Sequence, residues 1–78
     1  MAQRPEQQMP DDVRAELDER GVMDLYMERP FYQRNDYLGW IGRAKKLETR
    51  QKRIEQMLDE LDRGGVYMGM DHSPSRKL

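Results

Sequence analysis

Residues 37–54 read YLGWIGRAKKLETRQKRI. At helical spacing Tyr37, Leu38, Trp40, Ile41 and Ala44 fall on one side of a helix. Strand alternation fails, because Trp40 and Ile41 are adjacent and Gly39 and Gly42 flank them. Two glycines inside a helix cost about 1 kcal/mol each against alanine. Close approach of another backbone to the Trp-bearing face is a physical reason to accept that cost. The pattern restarts at Leu47. Leu47, Ile54, Leu58 and Leu61 form an i, i+7, i+11, i+14 stripe with Met57 beside it, which predicts a second amphipathic helix of about four turns. Glu48 and Thr49 stand at its start, where oxygen side chains accept bonds from unpaired N–H groups and an acid complements the helix dipole.

The flanking segments add two short helices. Pro10-Asp11-Asp12 is a start signal, because proline suits a first turn and early acids favour the helix N-terminus. Val13 and Leu17 follow on one face, and Gly21 ends the helix as a left-handed cap. Val22, Leu25 and Tyr26, with Met23 and Met27 alongside, predict a two-turn helix stopped at Arg29-Pro30. Phe31 is expected to plug the core where the third helix begins, and that helix is expected to reach Lys46. The fourth runs from Glu48 to Arg63 and stops at Gly64-Gly65. The fold expected is all-α: a small four-helix bundle with two short N-terminal helices packed on an αα-hairpin of two longer ones. Residues 1–9 are expected as a flexible arm, 10–65 as the helical domain and 66–78 as a mostly disordered tail. Val66 to Met68 would either fold back on the bundle or serve as a contact arm.

Composition bounds the rest. The 78 residues are 36% hydrophobic and 37% charged, a lean core under a heavily charged surface, with a net charge of −1. There is no cysteine, which removes disulfides, thiolate metal sites and thiol nucleophiles. This fits a cytoplasmic protein. No apolar run approaches the ~20 residues that span a bilayer, and the first ten residues lack the apolar stretch of a signal peptide. The charge is uneven: bases crowd Arg43 to Arg53, and acids dominate both Asp11 to Glu28 and Glu55 to Asp62.

One constellation points to binding. Lys45, Lys46, Thr49, Arg50 and Arg53 gather near the start of the fourth helix, whose free N–H groups favour an anion. They are the candidate site for phosphate, nucleic acid or an acidic partner surface. The bland alternative is a solvated face, with Arg50 and Arg53 paired to Glu16, Asp18 or Glu19 of the first helix. A pI near 5.8 argues against helix-turn-helix DNA reading. The aromatics Phe31 and Trp40 are expected in the core, and Met23, Met27 and Met57 as gap-fillers. His72 beside Asp71 makes no metal site. No Ser/His/acid order, phosphate loop or His cluster is present, and Asp59 and Glu60 point in different directions on a helix. No catalytic, cofactor-binding or metal residue is assigned, and the chain is expected not to be an enzyme.

The order Tyr37-Leu38, Trp40-Ile41, Ala44-Lys45, Glu48-Thr49-Arg50, Arg53-Ile54 resembles the signature of the bacteriocin-protection YdeI/OmpD-associated family. Met9-Pro10 and Val13 to Leu17 are similar to that family's opening helix, and Leu58, Leu61 and Gly64 to its close. The resemblance covers roughly residues 9 to 65. It implies a small bacterial helical domain, often placed after a second domain in longer proteins. It supplies no catalytic or binding residues. The function expected is a non-catalytic protein-interaction or stress-protection module, monomeric or weakly homodimeric, with an unidentified protein partner. The alternative is nucleic-acid or anion binding through residues 43–53.

Overall fold

In the computed structural model the described residues are 7–71. Four helices follow in order: α1 (Asp11–Arg20), α2 (Met23–Glu28), α3 (Phe31–Gly42) and α4 (Leu47–Arg63). A two-stranded antiparallel ladder, β1 (Val66–Tyr67) with β2 (Met70–Asp71), closes the described chain. The all-α bundle read from the sequence is the architecture found. α3 and α4 form the hairpin, α1 and α2 pair with each other, and both touch α4.

Local chemistry sets the boundaries. Gly21 adopts the left-handed conformation at φ 73°. Its N–H donates to the Asp18 carbonyl, and the Val22 N–H donates to the Leu17 carbonyl. This is a Schellman ending, with Val22 and Leu17 both buried beside it. Arg29, before Pro30, is extended at ψ 147°, as the proline ring requires of its predecessor. α3 then starts at Phe31 and ends at Gly42 rather than at Lys46. Gly39 is buried, and a Cβ there would stand 3.2 Å from the Arg43 guanidinium and 3.7 Å from the Gln7 side chain. The close approach expected at this glycine is therefore by side chains, whereas Gly42 has open space around it.

The core is built on α4. Ile54, Met57, Leu58 and Leu61 are buried along one stripe, facing Val13 and Leu17 of α1, Val22 and Tyr26 around α2, and Tyr37, Leu38 and Ile41 of α3. Each such side chain removed from water contributes about 1.5–3 kcal/mol. Three expected core residues are not there. Leu47 is 84% exposed, because it is the first residue of α4 and sits at the end of that helix furthest from the stripe. Phe31 is 52% and Met27 56% exposed: they flank Pro30, where α2 hands over to α3, and neither points inward. Trp40 is only half-buried at the edge of the core. The largest fully buried side chain is instead Tyr37.

Tyr37 is buried because it has a partner. Its hydroxyl donates to a carboxylate oxygen of Glu60, itself buried on the inner face of α4. Burial, with the Glu60 carboxylate alongside, pushes the Tyr37 phenol well above its ordinary value. Glu60 also accepts from the Met68 N–H at 2.8 Å, the Gly69 N–H at 2.7 Å and the Gln56 amide at 3.1 Å. Met68 and Gly69 are the two-residue turn between β1 and β2, both at positive φ, 52° and 81°. That is the backbone of a primed hairpin turn, which favours Asn-Gly. Methionine at such a φ is strained, and the two bonds from successive N–H groups to one carboxylate hold it there.

Residues 66–68 thus fold back on the bundle. Val66 is buried, and the Tyr67 ring meets Tyr37 edge-on at 5.4 Å and Tyr32 at 6.1 Å. Residues 72–78 of the expected tail and 1–6 of the expected arm lie outside the described residues, but the Gln7 N–H donates to the Asn35 side chain at 2.6 Å and Met9 lies against the core. Because Glu60 satisfies two N–H groups of the turn and the Tyr37 hydroxyl, Glu60→Ala should cost about 3 kcal/mol or more in urea unfolding. Hydrogen exchange should show the Met68 and Gly69 amides losing protection. An unchanged urea midpoint would place the turn's support elsewhere.

Candidate functional site

The basic segment Lys45, Lys46, Thr49, Arg50 and Arg53 occupies the junction of α3 and α4. Lys45 and Lys46 are exposed in the connection, and Thr49 is half-buried in the first turn of α4. The two arginines turn inward to the end of α3. Arg53 donates to the Trp40 carbonyl at 2.6 Å, and its guanidinium stands 5.2 Å from the Trp40 ring centre. One side chain thus satisfies a helix-terminal carbonyl and makes a cation–π contact, next to the negative end of the α3 dipole. Arg50 reaches the Ile41 carbonyl at 3.5 Å and grips the Asp12 carboxylate of α1 through Nε at 2.8 Å and a terminal nitrogen at 2.9 Å.

Asp12 is one rung of a polar seam along α1 and α4. Gln51 donates to Glu16 at 3.1 Å, and Arg20 pairs with Asp59 at 2.6 Å. Pairing of Arg50 with an acid of α1 was legible in the sequence; that the acid is Asp12, in the first turn, was not. The Arg50 guanidinium holds the Asp12 carboxyl below its ordinary value.

The family model described as bacteriocin-protection, YdeI or OmpD-associated matches residues 6–64. The chain belongs to that family. No curated relative and no solved structure matches it. The YdeI/OmpD-associated signature has a physical meaning in this fold. Tyr37 and Ile41 with Ile54 are core, and Trp40, Arg50 and Arg53 close the end of α3 against α4. Those charged positions hold the hairpin together.

A second feature lies across the bundle, where the sequence drew no site. An open groove of about 470 Å³ runs between the chain entering α1, the α2–α3 junction and the side of α3. Tyr26 and Leu38 form its floor, Met27 and Phe31 one wall, and Arg14 and Arg34 stand at its rim. Arg34 is held in place: its Nε donates to the Arg29 carbonyl at 3.0 Å, and its guanidinium lies 5.9 Å from the Phe31 ring centre. The signal available in the sequence was the apolar pair Met27 and Phe31 at i, i+4, assigned there to the core. Nothing in the sequence told which way the pair faces once Pro30 interrupts the helix.

Two outcomes follow at the junction. Arg53→Ala should destabilise the protein by about 1–2 kcal/mol in urea unfolding, through loss of a charged hydrogen bond and the indole contact, whereas Lys45→Gln and Lys46→Gln should stay within about 0.5 kcal/mol. Equal effects at all three would mean Arg53 closes nothing. The folded Asp12 carboxyl titrates below its unfolded value of about 3.9. Its stabilisation is therefore complete above the unfolded value and is lost as pH falls through the folded one. Asp12→Asn should flatten the acid limb of stability against pH by under about 1 kcal/mol, since the pair is exposed. An unchanged acid limb would discount the pair.

Proposed function

We propose that this chain is a non-catalytic protein-interaction module, serving the protective role that its family's description names. Two observations support this: how the buried charges are spent, and where two large apolar side chains lie. The ionisable groups inside the bundle are committed to holding it together. Arg29, buried between α2 and α3, donates to the Gln33 side chain at 3.2 Å, the Val66 carbonyl at 2.8 Å and the Glu60 carbonyl at 3.1 Å. Glu60 and Tyr37 saturate each other and the hairpin turn. Among the described residues no cluster of acids and histidines could hold a metal ion, and no helix is long and apolar enough to cross a membrane.

The observation that carries the reading is the placement of Met27 and Phe31. A chain with so lean a core leaves two large apolar side chains more than half exposed, side by side on the wall of a groove. Contiguous exposed apolar surface rimmed by polar groups marks a contact site. Anion or nucleic-acid binding through residues 43–53 is less well supported, because Arg50 and Arg53 are turned to Asp12 and to the end of α3, leaving the exposed Arg43, Lys45, Lys46 and Lys52 as the outward cations. A pull-down with the full chain as bait, from cells that encode it, with and without nuclease, tests the choice. A protein retained after nuclease is the expected result; capture that disappears with nuclease would replace the reading by nucleic-acid binding.

A further inference from the structure

The groove between α1 and the α2–α3 junction has a chemistry of its own. Among the described residues its lining comprises apolar side chains, amides and two arginines, and no carboxylate. That is notable in a chain with 15 acids against 14 bases, whose α1 and α4 surfaces carry acids in quantity. The groove is therefore locally positive on a molecule of net charge −1.

A second observation comes from its floor. Tyr26 is only 3% exposed, and its hydroxyl makes no hydrogen bond among the described residues. No buried side-chain oxygen or nitrogen lacks a partner there, so the hydroxyl must be the part of Tyr26 that opens to the groove. The field of the Arg34 guanidinium reaches it, opposing the upward push of burial on the phenol. An unpartnered hydroxyl and a guanidinium thus face the same space. Arg34 spends its Nε on the Arg29 carbonyl and directs a terminal nitrogen toward the Met27 sulfur at 3.9 Å, and its remaining N–H groups are left for an acceptor.

We propose that this groove binds an acidic-apolar peptide segment of a partner protein: a bulky apolar side chain seated on Tyr26 and Leu38, with a neighbouring Asp or Glu carboxylate held by Arg34, Arg14 and the Tyr26 hydroxyl. The apolar wall suits such a side chain without fixing its shape, because methionine adapts to what it touches. The carboxylate supplies the acceptor that the hydroxyl lacks. The proposal rests on the protein-interaction reading and names the partner's chemistry at that surface.

The experiment is an NMR titration of the isotope-labelled full chain. The probes are a set of peptides of about eight residues, each with a central Leu, Met, Phe or Trp next to Asp or Glu in an Ala/Ser background. Amide shifts should cluster at Tyr26, Met27, Phe31 and Arg34. Changing the peptide Glu to Gln should weaken binding about tenfold, as loss of a charged hydrogen bond does. Tyr26→Phe should weaken it severalfold while leaving the unfolding midpoint near that of the parent. Arg14→Glu, on the exposed side of α1, should favour peptides carrying Lys over those carrying Glu. Absence of shifts across the whole set at millimolar peptide, shifts centred on the Trp40 side of α3, or binding indifferent to Glu→Gln would each overturn the proposal. So would shifts that grow with protein concentration alone, which would make a second copy of this chain the occupant. If the peptides fail while the pull-down retains a protein after nuclease, the interaction reading stands on another surface; if both fail, that reading falls too.

Discussion

Arginine side chains close the C-terminal ends of the two long helices, and the rest of the bundle depends on that. The last carbonyls of a helix have no partner within it. In α3 they are met by Arg53 at Trp40 and Arg50 at Ile41, both from α4. In α4 the Glu60 carbonyl takes the Gly64 N–H at 2.9 Å and, at 3.1 Å, a second bond from Arg29 at the α2–α3 junction. Each of these guanidiniums comes from outside the helix whose end it meets, so each bond also fixes how two elements sit against each other. A guanidinium with five donors can do this where a lysine cannot. In a chain this short the apolar core leaves little surplus over chain entropy, and such polar closures carry a larger share of the specification.

Glu60 and Arg29 show how that specification works inside. Glu60 on α4 and Arg29 at the end of α2 are both buried, and among the described residues no buried side-chain nitrogen or oxygen lacks a partner. A buried charge with no partner would be costly, and one with several is tolerated. The result is that residues 64–71 cannot lie just anywhere: the Met68–Gly69 turn must present its N–H groups to Glu60, Val66 must present its carbonyl to Arg29, and Tyr67 must reach Asp36, where its hydroxyl donates at 2.7 Å. The hairpin is a clasp on the end of the bundle, held by polar bonds more than by its two pairs of strand residues.

The segregation of surfaces gives function its room. The seam of α1 and α4 is occupied by its own ion pairs, and the junction of α3 and α4 by Arg50 and Arg53. The groove between α1, the α2–α3 junction and α3 is different, lined among the described residues by exposed methionine and phenylalanine and by arginines, with no acid. Family membership, shared over residues 6–64, covers the scaffold and this groove alike.

The amino-acid order alone fixed what is periodic or punctuated. The stripe of Ile54, Leu58 and Leu61, the stop at Gly21, the break at Pro30 and the hairpin of two longer helices were all legible, because side-chain spacing and backbone restriction are local properties. Tertiary structure decided whatever depends on a partner distant in the chain. Glu60 stands among acids in the sequence and is buried only because Tyr37 and the Met68–Gly69 turn meet it; Arg50 and Arg53 stand in a run of bases in the sequence, and that they reach the Ile41 and Trp40 carbonyls depends on where α3 ends. Phe31 and Met27 look like core and lie outside, since Pro30 redirects the helix that would have carried them in. The groove unites Arg14, Tyr26 and Arg34 from three helices, and no spacing along the chain encodes that meeting.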